Sequence, residues 1–177
     1  RLAEAARDLG GDLMVFGSPK QRSLLPGVSR QQAFDWAAAL FRQVMPQVAD
    51  YGITICMEPL STAETDFINT CAEASELIEA VGHANFALHL DVKAMSSEST
   101  PVTELIHTYG PIAHHFHAND ANRRGPGFGD VDFVPIFKAL RKSGYNRWIS
   151  VEVFDYKPDP ETITVKSIEY MRRSMGA

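Results

Sequence analysis

Short apolar runs alternate with longer amphipathic stretches along the whole chain, and in three of the runs the apolar positions keep to one side. In Ile53-Thr54-Ile55-Cys56-Met57-Glu58, Ile53, Ile55 and Met57 fall on one face and Thr54, Cys56 and Glu58 on the other. In the run from Phe86 to Asp91, Leu88 and Leu90 oppose His89 and Asp91, and near the end Ile149, Val151 and Val153 oppose Ser150 and Glu152. Runs of this length and composition, separated by helical stretches, predict strands, here at 12–17, 53–58, 86–91, 112–118 and 147–154. Helices are predicted over 29–51, 70–81, 101–109, 133–143 and 159–174, after a helical segment that begins at Leu2 and ends at Gly10. Phe34, Trp36, Phe41 and Met45 are assigned to the helix's core face.

Boundary residues agree with this order. Gly10, Gly52, Gly82, Gly110 and Gly144 are predicted to close helices in the left-handed conformation. Ser29 with Gln32 and Thr70 with Glu73 read as capping boxes, while Pro101 and Pro160 occupy first helical positions. Strands alternating with helices imply a parallel sheet with right-handed crossovers. A doubly wound sheet is covered on both faces and reads as continuous Val, Ile and Leu. One face of these strands is instead small or polar, as on the inside of a barrel that rises to a polar mouth. The expected fold class is therefore α/β, a (β/α)8 TIM barrel. Residues 1–177 would supply about its last five β/α units, as the C-terminal part of one domain, with three units expected ahead of Arg1.

Composition narrows the function classes. A net charge of −5 leaves no basic stripe for phosphates, which argues against nucleic acid. No apolar run approaches the ~18 residues of a membrane span, and no signal or transit peptide is recognisable. Cys56 lies in a predicted strand and Cys71 in a helix first turn, so reduced thiols and a cytoplasmic location are expected.

The chemistry sits where the apolar runs stop. Glu58, Asp91, His117 and Glu152 each close a predicted strand, and in a parallel α/β fold all carboxyl ends share the ligand-binding face. Each could merely cap its strand and bond a neighbouring loop. Together they make an oxygen-rich set with one imidazole, the donor chemistry of hard or borderline divalent ions such as Mn²⁺, Mg²⁺ and Co²⁺. Three carboxylates converging without a cation would raise one another's pKa values. A metal between two glutamates suggests proton transfer on a sugar. The ion would polarise a carbonyl and stabilise an enediolate, one glutamate would remove a proton and the other would return it.

Met57-Glu58-Pro59-Leu60 followed by Glu64-Thr65-Asp66-Phe67-Ile68-Asn69-Thr70, Leu90-Asp91, His117-Ala118-Asn119-Asp120 with Gly125-Pro126-Gly127-Phe128-Gly129-Asp130, and Val151-Glu152 resemble the xylose isomerase-like TIM barrels. Within that superfamily the sugar phosphate isomerase/epimerases of the ketose 3-epimerase type are the closest resemblance. The resemblance implies that Glu58, Asp91, His117 and Glu152 bind one ion, Mn²⁺ first with Mg²⁺, Co²⁺ or Zn²⁺ as alternatives. It makes Glu58 and Glu152 the acid/base pair, and it places Glu64 and Arg123 against the hydroxyls of a small-molecule sugar. Ketose 3-epimerases carry a histidine three residues past the aspartate ligand, where this chain has Ala94. Lys93 either supplies a substitute donor or is a solvated loop charge. No nucleic-acid or membrane partner is expected, and homo-oligomerisation of a full-length protein stays open.

Other residues have plainer readings. His89 and His115 are interior polar residues or substrate contacts, His114 faces outward, and His83 and His107 receive no role. The glycine-rich run 125–129 lacks the spacing and lysine of a phosphate loop and is read as a loop over the site, with Arg123 at its base. Asp130 and Asp132 are expected to cap the next helix, a second metal site being the alternative. Rival functions are a metal-dependent dehydratase of inosose or dehydroshikimate type, a non-catalytic binding protein and an endonuclease-IV-like repair enzyme. The last wants histidine at Ala94 and an Asp-x-His pair at Asp130-Val131-Asp132.

Overall fold

Among residues 1–176, which the computed structural model describes, strands and helices alternate in chain order: α1 (Leu2–Asp8), β1 (Leu13–Phe16), α2 (Arg30–Ala49), β2 (Thr54–Met57), α3 (Cys71–Val81), β3 (Phe86–Asp91), α4 (Val92–Met95), α5 (Val102–Tyr109), β4 (Ala113–Ala118), α6 (Phe133–Lys142), β5 (Ile149–Val151) and α7 (Pro160–Gly176). The strand order is β1-β2-β3-β4-β5, and the paired strands run parallel. Doubly wound sheets reverse their order at a switch point. The unbroken sequence here is that of a barrel wound in one direction. The chain divides into two compact units, Arg1–His89 and Leu90–Ala177, with the boundary inside β3.

In the first unit the buried stripe of α2 is Ala38, Phe41, Met45 and Val48, at helical spacings of three and four. Phe41 stacks on Phe86 with centroids 4.4 Å apart and meets the edge of Phe16 at 5.3 Å. Trp36 was expected in this core but is 57% exposed. It lies with Leu40 on a neighbouring helix face, which aromatic content alone does not reveal. Both parts of the Ser29/Gln32 capping box form. The Thr70/Glu73 box forms only half. Thr70 accepts from the Glu73 N–H, but the Glu73 carboxylate accepts from Asn69 N–H and pairs with Arg30 instead. Cys56 and Cys71 are both buried, as cysteines outside a disulfide.

In the second unit β4 and β5 pair with Phe116 opposite Ile149 and Ala118 opposite Val151. Phe133, Ile136, Phe137 and Leu140 form the buried face of α6. Here the expected boundaries shift. β5 is only three residues long, so Glu152 lies just past it, and Pro101 is the cap before α5 rather than its first residue. Asp132 caps α6 by accepting from Val134 N–H, as expected. Gly110 does not close α5 in the left-handed region. Its φ is −54°, and it opens a 3-10 turn over Gly110–Ile112 that delays β4 to Ala113. Glycine is needed there for space: a Cβ would stand 2.4 Å from Ser143 Oγ and 2.8 Å from Ser143 Cβ.

Gly110→Ala should therefore cost about 1–3 kcal/mol in urea unfolding by overpacking. An added Ser143→Gly change should recover most of that loss, and a Gly110→Ala variant as stable as the native protein would refute the close-approach reading.

Candidate functional site

In the first unit, pairing of Met57 with Leu88 sets Glu58, the next residue, level with His89. Glu58 is 4% exposed and His89 fully buried, with His89 Nε2 3.7 Å from Glu58 Oε1. Gly17 follows β1 directly beside them. A Cβ at Gly17 would fall 1.7 Å from Glu58 Oε2, so the glycine is what leaves room for this carboxylate. Arg22 lies behind it, 8% exposed, donating from Nη2 to the Glu58 carbonyl at 2.7 Å and from Nη1 to Met57 Sδ at 3.3 Å. Burial pushes the Arg22 guanidinium down to about 10, against the opposing pull of Glu58 and Glu64. Glu64 Oε2 accepts from Ser61 N–H at 3.3 Å and Ser61 Oγ at 2.8 Å, which braces the loop after β2.

The second unit gathers Asp91, His117 and Glu152. Asp91 ends β3 and caps α4, its Oδ1 accepting from Ala94 N–H at 2.8 Å. His117 projects from β4 with Nδ1 3.7 Å from Asp91 Oδ2 and 3.5 Å from Glu152 Oε2. Asn119, two residues on along the same face, donates to Asp91 Oδ2 at 2.5 Å and to Glu152 Oε2 at 3.3 Å. Burial pushes the Glu152 carboxyl up, but His117, Lys93 and Asn119 outweigh it and hold the group below its ordinary value.

Lys93 and Arg123 share one aromatic ring in this unit. Lys93 Nζ lies 4.7 Å and Arg123 Cζ 5.3 Å from the centroid of Phe154. Arg123 adopts a φ of 70°, and its carbonyl accepts from Phe154 N–H at 2.9 Å and Asp155 N–H at 3.2 Å. Asp120 shapes the loop that follows by accepting from Asn122 N–H at 3.3 Å and Val131 N–H at 3.0 Å.

The donor chemistry fits a divalent ion. Nitrogen–oxygen separations of 3.5–3.7 Å are too long for good hydrogen bonds, and they match two ligand atoms each about 2.1 Å from one ion. Glu58 with His89 in the first unit, and Asp91 with His117 in the second, each pair a carboxylate with an imidazole, donor types that suit a divalent ion. Three residues beside the expected ligands escape the strand-end pattern. His89 is legible as an interior polar residue, because it shares a strand face with Asp91, and the structure adds its place beside Glu58. Asn119 likewise follows from His117 by period two. Arg22 lies in an irregular loop and carried no signal at all.

Residues 1–174 match the xylose isomerase-like TIM barrel family. Among characterised relatives, a D-psicose 3-epimerase from Agrobacterium fabrum is 36% identical over 105 residues, covering 59% of this chain and 36% of the relative. A 3-dehydro-D-guloside 4-epimerase from Escherichia coli is 28% identical over 180 residues, covering 97% of this chain and 68% of the relative. The crystal structure of a D-psicose 3-epimerase from Clostridium cellulolyticum with D-tagatose superimposes with a TM-score of 0.85 at 23% identity, covering 98% of this chain and 68% of that one. The matched part of the chain thus spans little more than a third of the Agrobacterium relative.

A lowered folded pKa means that Glu152 contributes stability above its unfolded pKa, and that this is lost as pH falls through the folded value. Carboxyl-carbon NMR of the metal-free protein should place the Glu152 midpoint below the ordinary 4.5. Lys93→Gln should move it upward. A native midpoint at or above 4.5 would contradict the electrostatic account.

Proposed function

The chain belongs to the xylose isomerase-like TIM barrel family, and we propose that it is the C-terminal part of a divalent-metal-dependent epimerase acting on a ketose or a related sugar. Glu58, Asp91, His117 and Glu152 are the residues that would hold the ion, with Mn²⁺ the first candidate. When bound, such an ion supplies Lewis-acid polarisation of the sugar carbonyl and the adjacent hydroxyl.

The observation that carries this reading is Glu152, beside His117 and Asp91 and held ionised by its neighbours. A carboxylate that stays charged at neutral pH is ready to accept a proton. Glu152 and Glu58 act as the pair, one taking the proton from the carbon beside the carbonyl and the other returning one to the opposite face. Glu64 and Arg123 contact sugar hydroxyls, and Lys93, on the same ring as Arg123, adds a third polar contact. Ala94, 2% exposed, brings no polar side chain to the sugar. The substrate carbonyl is therefore gripped differently from that of an enzyme with histidine there.

The test is deuterium exchange. Full-length protein loaded with Mn²⁺ is incubated in D₂O with a panel of ketoses, ketose phosphates and inososes, and the sugars are read by NMR. Stereospecific deuterium at one carbon of one panel member is expected. Glu152→Gln should abolish it without changing the circular dichroism spectrum. A metal-loaded protein that exchanges nothing, or a Glu152→Gln variant that still exchanges, would refute the assignment.

A further inference from the structure

Asn119 is fully buried, and every polar atom of its side chain is engaged inside the second unit. Its Oδ1 accepts from the Lys93 main-chain N–H at 2.9 Å. Its Nδ2 donates to Asp91 Oδ2 at 2.5 Å and Glu152 Oε2 at 3.3 Å. A primary amide has two N–H donors, and both are spent on carboxylates. The two acids are thereby presented differently. Both Asp91 oxygens accept hydrogen bonds, because Oδ1 already takes the Ala94 N–H. Glu152 takes the Asn119 bond on Oε2, the oxygen that also faces His117 Nδ1 at 3.5 Å.

We propose that Asn119 is a positioning residue for proton transfer: by holding Oε2 of Glu152 and Oδ2 of Asp91 on one amide, it leaves Glu152 Oε1 as the oxygen that exchanges the substrate proton. The proposal rests on the acid/base role given to Glu152 above. A carboxylate at this position could not do the same. It would offer no donor and would set a third negative charge beside two others. An alanine would free Glu152 to rotate, and the proton-carrying oxygen would no longer be the same one in every molecule.

The rival role for Asn119 is purely structural: accepting the Lys93 N–H so that α4 begins where it does. Two variants of the full-length protein separate the roles. Asn119→Asp keeps the size and the acceptor for Lys93 but removes both donors. Asn119→Ala removes everything. Circular dichroism and thermal melting establish that each is folded, deuterium exchange gives kcat and KM, and calorimetric titration with Mn²⁺ gives metal affinity without reference to turnover.

Partners that orient metal ligands are typically worth about 10–100-fold when removed. Both variants should lose kcat on that scale with KM changed less than about threefold, and Asn119→Ala should bind Mn²⁺ about tenfold more weakly. An Asn119→Asp variant with native kcat, or a loss confined to KM, would overturn the positioning role while leaving the function intact. If Asn119→Asp does not fold, the Asn119→Ala pair of readouts decides, and native Mn²⁺ affinity with native kcat would overturn the proposal. A native protein that binds Mn²⁺ yet exchanges no sugar would instead overturn the function, and the inference with it.

Discussion

Burying a carboxylate is the constraint around which the rest of the site is arranged. Removing such a charge from water costs several kcal/mol unless it is paired and hydrogen-bonded, yet Glu58 is 4% and Asp91 1% exposed. Each unit meets this cost in its own way. The first uses the Arg22 guanidinium behind Glu58, with Gly17 giving up its side chain so that the carboxylate has room. The second surrounds Asp91 with the Ala94 N–H and the Asn119 amide. These neighbours give buried acidic groups hydrogen bonds and room, an arrangement suited to receiving a cation.

β3 shows how local structure serves this arrangement. All six of its residues are buried, so its period-two alternation sorts side chains between two packed faces rather than between core and water. Leu88 and Leu90 take one face, His89 and Asp91 the other. Asp91 then serves twice, as the last residue of the strand and as the cap of α4. A capping aspartate accepts a main-chain hydrogen bond with one oxygen and keeps the second for other work.

The architecture was legible because it depends on period and on punctuation. Short apolar runs located every strand, and the Ser29 box and Asp132 marked helix starts where they form. Reading failed where a residue type has two physical uses. Gly110 was read for its backbone freedom, whereas its missing side chain admits Ser143. Trp36 was read as core because it is large, although the helical register places it off the buried stripe. At the site, strand ends pointed to Glu58, Asp91, His117 and Glu152 by position alone. His89 and Asn119 needed the same alternation carried one step further, below Asp91 and beyond His117. Arg22 could not be foreseen, since an arginine in an irregular loop has no period by which to place it.

Metal stoichiometry measured on the full-length protein bears most directly on the central proposal, that these acidic strand ends hold one ion. Calorimetric titration with Mn²⁺ should show a single site per chain, weakened at least tenfold by Asp91→Asn, a change that keeps the size of the side chain and removes its charge. A native protein that takes up no divalent ion, or an Asp91→Asn variant that binds it as tightly as the native one, would contradict the account.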